Sequence, residues 1–449
     1  VFQTVRLGLL GQGFDASIFF LRCRPASLRR VSGFRFILVP LGSAGDVHPL
    51  VWLGRVLAGR GHEVCVVAQA AVAEIPQRAG LRTRAVGNAE QQLAVTRHPG
   101  IWKPWGGFRV LAGEFPGWAR ELMPAIEREI LPDRTVLVGG GIAFAARILG
   151  EARRLPHATV QLQPAAFLSA QDPPVFVPGA ERLKRCPWWL RRLCLRLSFW
   201  ETDRLLRRPL NRLRREAGLT TPVRGIMRDW WMSPHLVLAL FPEWFAPPQS
   251  DWARQTVMTR FPLYDECEQR ALPADLEHYL NNGPPPILFT PGSANSQAAR
   301  FFTVGMEACR RLGRRALLVT RFREQLPATL PAGAAHFDYL PFSAVFPRCA
   351  AVVHHGGIGT SAQGLAAGVP QLIMAMSFDQ PDNGWRLRTL GVGDYLYPRR
   401  FQPGRVAETL QRLTRDDRTA AACRQAKDRL QHQMPPEQVA ELLEALART

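Results

Sequence analysis

The chain has 449 residues, 47% of them apolar, with 57 lysines and arginines against 37 aspartates and glutamates, a formal net charge of +20. This is enough for two or three ordinary cores, and no run of 18 uncharged apolar residues argues for a membrane-spanning helix. Eight cysteines without a CxxC pair or a zinc-like Cys/His spacing argue against a disulfide scaffold and point to a reduced, cytoplasmic chain.

The charge does not by itself imply nucleic acid. Only Lys103, Lys184 and Lys427 are lysines, the arginines are spread along the chain, and no RNA-binding signature accompanies them, so no nucleic-acid partner is expected. The first 33 residues begin at Val1 and place an apolar patch, Ala16 to Leu21, ahead of an arginine cluster. That order does not suit a secretory signal, and a disordered leader or a misassigned start is expected.

FRFILVPL (34–41) reads as a buried strand. The turn GSAGDVHP (42–49) follows, then a helical pattern from Leu50 to Arg60 that Gly61 stops. HEVCVVAQ (62–69), TVLVGGG (135–141), HATVQLQP (157–164) and HLVLALF (235–241) are further strands. Between Arg182 and Arg215 lie 12 arginines and lysines against two acids, with Trp188, Trp189, Phe199 and Trp200 interleaved. Two readings fit: a solvated helical pair whose aromatics pack on the sheet, or a basic amphipathic surface on the inner membrane. The proline-rich stretch from Trp244 to Asp265 marks a domain boundary. A second series follows: PILFTPGS (286–293), ALLVT (316–320), HFDYL (336–340), AAVVHH (350–355) and QLIMAM (371–376). Strands alternating with helices predict an α/β fold of two Rossmann-like domains facing across a cleft. The expected bounds are 34–255, a linker at 256–285, 286–425, and a C-terminal helix at 426–449 crossing back to the first domain.

Three loops carry the chemistry. In VVHHGGIGT (352–360) a strand runs into glycines and a helix start, whose unpaired N–H groups form an anion site. A histidine at the strand end can add a hydrogen bond or a charge. Gly357, Gly359 and Ala362 also satisfy the dinucleotide pattern G-x-G-x-x-A, with Asp379 placed as a ribose-binding acid, so an NAD-dependent oxidoreductase stands as an alternative. Against it, the motif follows the fourth strand of its half. Asp379 also begins DQPDN, where Asp379, Gln380 and Asn383 suit a polyhydroxylated ligand. FTPGSANS (289–296) can offer Gly292 and Ser293 to a phosphate. GSAGDVHP places Asp46, with Gly45 and His48, at the carboxyl end of the first sheet, although Asp46 can equally cap the helix that follows.

GSAGDVHP, HHGGIGT, GVP (368–370) and DQPDN in this order resemble GT-B glycosyltransferases of the nucleotide-sugar-dependent natural-product and sterol family, over roughly residues 34–445. Within it, LFPEWFAPPQSDW and MTRFPLYD look most like the rhamnosyltransferases of mono-rhamnolipid synthesis. The resemblance implies a donor diphosphate at His355 or His354, with Gly357, Gly359, Thr360 and Ser361 as its phosphate loop and Gly292 and Ser293 beside it. It implies Asp379 and Gln380 on sugar hydroxyls, Tyr339 and Leu340 near the nucleobase, and Asp46 as catalytic base. The implied substrates are a dTDP- or UDP-sugar and a hydrophobic hydroxylated acceptor, with neither metal nor cofactor. UDP-glucose transfer to a sterol or other small hydrophobic acceptor is the nearest alternative.

Overall fold

The computed structural model describes residues 33–103, 106–268 and 272–449, so the expected leader lies outside the described residues but for Gly33. The first sheet holds β1 (Arg35–Val39), β2 (Glu63–Gln69), β3 (Arg82–Val86), β4 (Thr135–Gly140), β5 (His157–Gln161), β6 (Leu236–Ala239) and β7 (Thr256–Met258), in the order 3-2-1-4-5-6-7. The second holds β8 (Ile287–Thr290), β9 (Ala316–Val319), β10 (Ala334–Phe337), β11 (Ala351–His354), β12 (Gln371–Met374) and β13 (Gly393–Leu396), in the order 10-9-8-11-12-13. Among the described residues the strand pairings are parallel, as between Arg35 and Glu63 or Val353 and Phe289. Helices cover both faces of such sheets, which is why β1, β8 and β11 are continuous apolar runs rather than alternating ones.

Each sheet reverses its strand order at one seam, between β1 and β4 in the first and between β8 and β11 in the second. Ligands of open α/β sheets lie at the carboxyl ends of strands beside that seam. The loops after β1, β8 and β11 are those that carry Asp46, Gly292 and His355.

Three strands differ from the sequence reading. β3 is an edge strand whose Arg82 and Arg84 reach Glu129, a fully buried carboxylate, at 2.8 and 2.6 Å. β7 belongs to the first sheet although it falls where a linker was expected. β13 is only four residues long. The first helix also starts earlier than expected, at Ala44, and runs to Gly59 with Pro49 inside it. The C-terminal helix Pro436–Ala447 packs on that first helix and on β4. There Glu444 accepts from Arg60 at 2.5 Å and meets His62 at 3.0 Å. Among the described residues no helix is long and apolar enough to cross a membrane.

Candidate active site

The helix Ile358–Ala367 begins directly after β11, with Gly357 as its N-cap and Gly356 at φ +95. Its first N–H groups have no intrahelical acceptors and point back toward the turn. The two preceding histidines part company. His354 is fully buried: its Nδ1 accepts from the Gly356 N–H at 3.1 Å and its Nε2 meets Gln371 Oε1 at 3.0 Å. Burial holds it down at about 3. His354 is thus a neutral fastener of the turn, with its side chain closed off from solvent.

His355 lies at the surface of the turn with its Nδ1 enclosed and without a hydrogen-bond partner. A Cβ on Gly292 would sit 2.8–2.9 Å from three atoms of the His355 ring, and one on Gly357 would sit 2.5 Å from its Nε2. The imidazole is therefore held between two glycine backbones, and burial holds it down at about 4. Gly292 also has φ +94, a conformation that penalises any Cβ. Gly292→Ala is expected to push the ring out of place and lower stability by about 1–2 kcal/mol, as read by thermal denaturation.

Several other expected residues serve the loop itself. The Ser361 hydroxyl is fully buried and donates back to the Gly357 carbonyl at 3.1 Å, so it is not open to a phosphate. Asn383, also fully buried, donates to the Gly356 carbonyl at 2.8 Å and to Asp379 Oδ2 at 2.7 Å, joining the two loops rather than facing a ligand. Gln380 accepts the N–H groups of Met376 and Ser377 at 2.9 and 3.3 Å through Oε1. Leu340 is a core residue, and the Tyr339 hydroxyl donates to the Asp265 carbonyl at 2.7 Å. Thr360 is partly exposed, Ser293 is exposed, and a Cβ on Gly359 would meet nothing within 4 Å.

On the first half, Asp46 does cap: its Oδ2 accepts the Ser43 N–H at 2.8 Å and the Ser43 hydroxyl at 3.0 Å. This is the reciprocal arrangement that starts the helix at Ala44. Capping uses one of the two carboxylate oxygens. Gly42, at φ +128, leaves room for that carboxylate, since a Cβ there would lie 2.4 Å from Oδ2. Gly45 is exposed beside it. His48 faces elsewhere, with Nε2 at 3.4 Å from Glu266 and its ring edge-on to Tyr264. Arg78 holds the same Glu266, so His48 is a packing residue and not part of the site.

Burial raises Asp46 above the usual carboxylate range, opposed by the two Ser43 bonds. Burial, with the charges of Asp46 and Asp382 nearby, pushes Asp379 up to about 7. The two loops therefore face each other closely enough for Asp46 to act on Asp379. The folded chain keeps a proton on Asp379 that the unfolded chain releases near pH 4. Stability from this group is therefore full below about pH 4 and is lost as pH rises through about 7. Asp379→Asn is expected to raise stability at pH 8 by about 2 kcal/mol and to change little at pH 4. Denaturant melts at the two pH values check it.

A charged cluster that sequence reading missed ties the helix Gln380–Thr389 to the first half. Arg386 pairs with Asp382 and with Asp172, both at 2.8 Å, Lys184 also pairs with Asp172, and the Val175 N–H donates to Asp382 at 3.0 Å. Only the i,i+4 spacing of Asp382 and Arg386 was available as a signal. Phe378, at φ +58, packs edge-on to Trp102 and against Gly107, again across the two halves.

Glycosyltransferases are among the known proteins that this chain resembles. The profile of the family "Erythromycin biosynthesis protein CIII-like, C-terminal domain" matches residues 316–446. O-mycaminosyltylonolide 6-deoxyallosyltransferase of Streptomyces fradiae is 29% identical, with 92% of this chain and 98% of that protein covered. A sterol 3-beta-glucosyltransferase of Arabidopsis thaliana is 27% identical over 80% of this chain, which spans 58% of its length. The solved glycotransferase of kitacinnamycin superposes with a TM-score of 0.67 at 22% identity, covering 92% of this chain and 99% of that one. Spinosyn rhamnosyltransferase complexed with thymidine diphosphate does so with 0.64 at 21%, covering 91% and 100%. The chain is a glycosyltransferase with the GT-B fold. For this glycosyltransferase the dinucleotide reading falls. Its G-x-G-x-x-A turn follows the fourth strand of its sheet, whereas the dinucleotide fingerprint follows the first.

Proposed function

We propose that this glycosyltransferase moves a hexose, L-rhamnose from dTDP-L-rhamnose, to a hydroxyl of a lipidic acceptor such as a 3-(3-hydroxyalkanoyloxy)alkanoate, with inversion. The observation that carries the site is the His355 ring, its Nδ1 unpartnered, fixed between Gly292 and Gly357 at a helix N-terminus. The acceptor oxygen attacks the anomeric carbon from the face opposite the diphosphate. The carbon–oxygen bond to the diphosphate breaks, and the acceptor proton passes to the Asp46 carboxylate. Its raised pKa makes Asp46 a stronger base than an ordinary aspartate. The leaving diphosphate settles on the N–H groups of Ile358, Gly359 and Thr360, where the helix dipole and His355 meet its charge, and no metal is assigned a role. The Asp379 carboxyl and the Gln380 amide face the sugar hydroxyls.

The thymidine diphosphate of the spinosyn enzyme supports a dTDP donor. The rhamnolipid acceptor rests on the LFPEWFAPPQSDW and MTRFPLYD stretches. The Arabidopsis relative supports the second reading, UDP-glucose transfer to a sterol or similar acceptor. Calorimetric titration with dTDP and with UDP separates them. The proposal expects dTDP to bind about tenfold more tightly, or about 1.4 kcal/mol; the reverse order favours the second reading, and no binding of either removes the donor site.

A further inference from the structure

Among the described residues, the large apolar side chains that stand exposed all lie on one helix, Trp188–Glu216. They are Trp188, Trp189, Leu193, Leu197, Trp200 and Leu205, with Trp200 64% exposed. Trp189, Leu193, Leu197 and Trp200 follow one another at spacings of four, four and three, which puts them on one face. The other face is spoken for: Leu195, Leu206, Leu210 and Leu213 are buried, and Phe199 packs on the core beside the helix Gly107–Glu127. The expectation that the aromatics of this segment pack inward therefore holds for Phe199 and fails for the three tryptophans. An apolar stripe of this size is kept exposed for a contact.

The same helix is strongly basic. Its C-terminal half borders a groove of about 870 Å³ lined by Arg120, Arg207, Arg208, Arg212, Arg215 and Arg224. Glu216 pairs with Arg120 and Arg212, leaving the groove rich in positive charge. Arg192 and Arg204 lie over the rings of Trp188 and Trp200 at 5.5 and 5.8 Å. Tryptophan and leucine on one face with arginine around them is the chemistry of a helix lying in a headgroup layer. A nucleic acid would use the arginines but not the leucines. A second copy would cover the apolar face but bring two arginine grooves together.

The helix also lies beside the candidate site. Arg109 pairs with Glu201, next to Trp200, and Gly107, two residues before Arg109, packs on Phe378, which precedes Asp379. We propose that the Trp188–Glu216 helix lies on an anionic lipid surface. Its tryptophans and leucines enter the boundary of headgroups and acyl chains, and its arginine groove meets lipid phosphates. The mouth of the site then opens at the membrane, and an amphiphilic acceptor enters from the lipid side. Docking is independent of the transferred sugar; the route of the acceptor rests on the transfer reading above.

Flotation of the purified full chain tests docking, with phosphatidylcholine vesicles with and without phosphatidylglycerol. Two triple variants accompany it, Trp188→Ser/Trp189→Ser/Trp200→Ser and Arg207→Ser/Arg208→Ser/Arg212→Ser. Lipid docking predicts about tenfold more flotation with the anionic vesicles, a loss of most of it at high salt, and a loss of about fivefold or more in each variant. Both variants should melt as the parent does and bind nucleoside diphosphate as it does, which separates this test from that of the donor site. The tryptophan emission should shift to the blue on anionic vesicles and not in the tryptophan variant. Docking is overturned if the parent chain does not float with anionic vesicles, or if both variants float like the parent. It is equally overturned if the tryptophan variant only dissociates a lipid-free dimer, or if single-stranded DNA binds as well as vesicles regardless of the tryptophans.

Discussion

Replacing Asp46 by Asn is expected to lower kcat for sugar transfer by about 10³-fold while nucleoside diphosphate affinity stays within about twofold. The substitution is conservative for the fold. Asn still accepts the Ser43 N–H through its side-chain oxygen, so the helix start at Ala44 survives. What it removes is the group proposed to take the acceptor proton. Asp46 is placed for that by the first strand of its sheet, by Gly42, which leaves the space for its carboxylate, and by Ser43, which orients one oxygen. Steady-state kinetics with calorimetric binding of the nucleotide separates the two effects. Turnover near that of the parent would remove Asp46 as base, and His48 is not its replacement, because Glu266 holds it away from the site.

The adjacent histidines should respond in opposite ways. His355→Ala is expected to weaken nucleoside diphosphate binding by about 10- to 100-fold, the worth of a hydrogen bond to a charged group at 1.5–3 kcal/mol. The melting temperature should change little, since the ring's Nδ1 has no partner to lose. His354→Ala removes acceptor and donor from the Gly356 N–H and Gln371 and leaves a cavity in the strand end. It should cost about 2–4 kcal/mol of stability, with affinity altered only as far as the turn loosens. Melts and titrations on both variants read the crossing. Equal effects on both quantities would show that the two rings act as one unit. Unchanged affinity in His355→Ala would remove that ring from the phosphate.

Much of this was legible in the sequence where a single strand and its loop suffice. The strands β1, β2, β4 and β11 are apolar runs, and the glycine-containing loops after β1 and β11 announced Asp46 and the candidate phosphate turn. β3 was not legible, because its arginines mask a strand pattern until Glu129, far along the chain, is folded beneath them. β7 was hidden by the prolines around it and by its three-residue length. The roles within the site were legible only in part. HH names two histidines, but which of them turns inward depends on Gln371, one strand away. DQPDN names polar groups, but Asn383 is consumed by the Gly356 carbonyl and Asp382 by Arg386, contacts that exist only after the loops meet. The tie from Arg386 to Asp172 joins residues 214 positions apart, and no local pattern encodes it. The exposure of the three tryptophans likewise follows from where the helix docks, not from its own sequence.

The central claim is that a sugar leaves a diphosphate held at Gly357 and is received by a hydroxyl facing Asp46. Mass spectrometry of the purified chain, incubated with dTDP- and UDP-sugars and with hydroxyalkanoyloxyalkanoate and sterol acceptors, tests it most directly. The predicted result is a glycosylated acceptor and free nucleoside diphosphate in equal amounts, with dTDP-L-rhamnose as donor, and neither product from the Asp46→Asn variant. Donor and acceptor both recovered intact across the whole panel, or product formed equally by the variant, would contradict it.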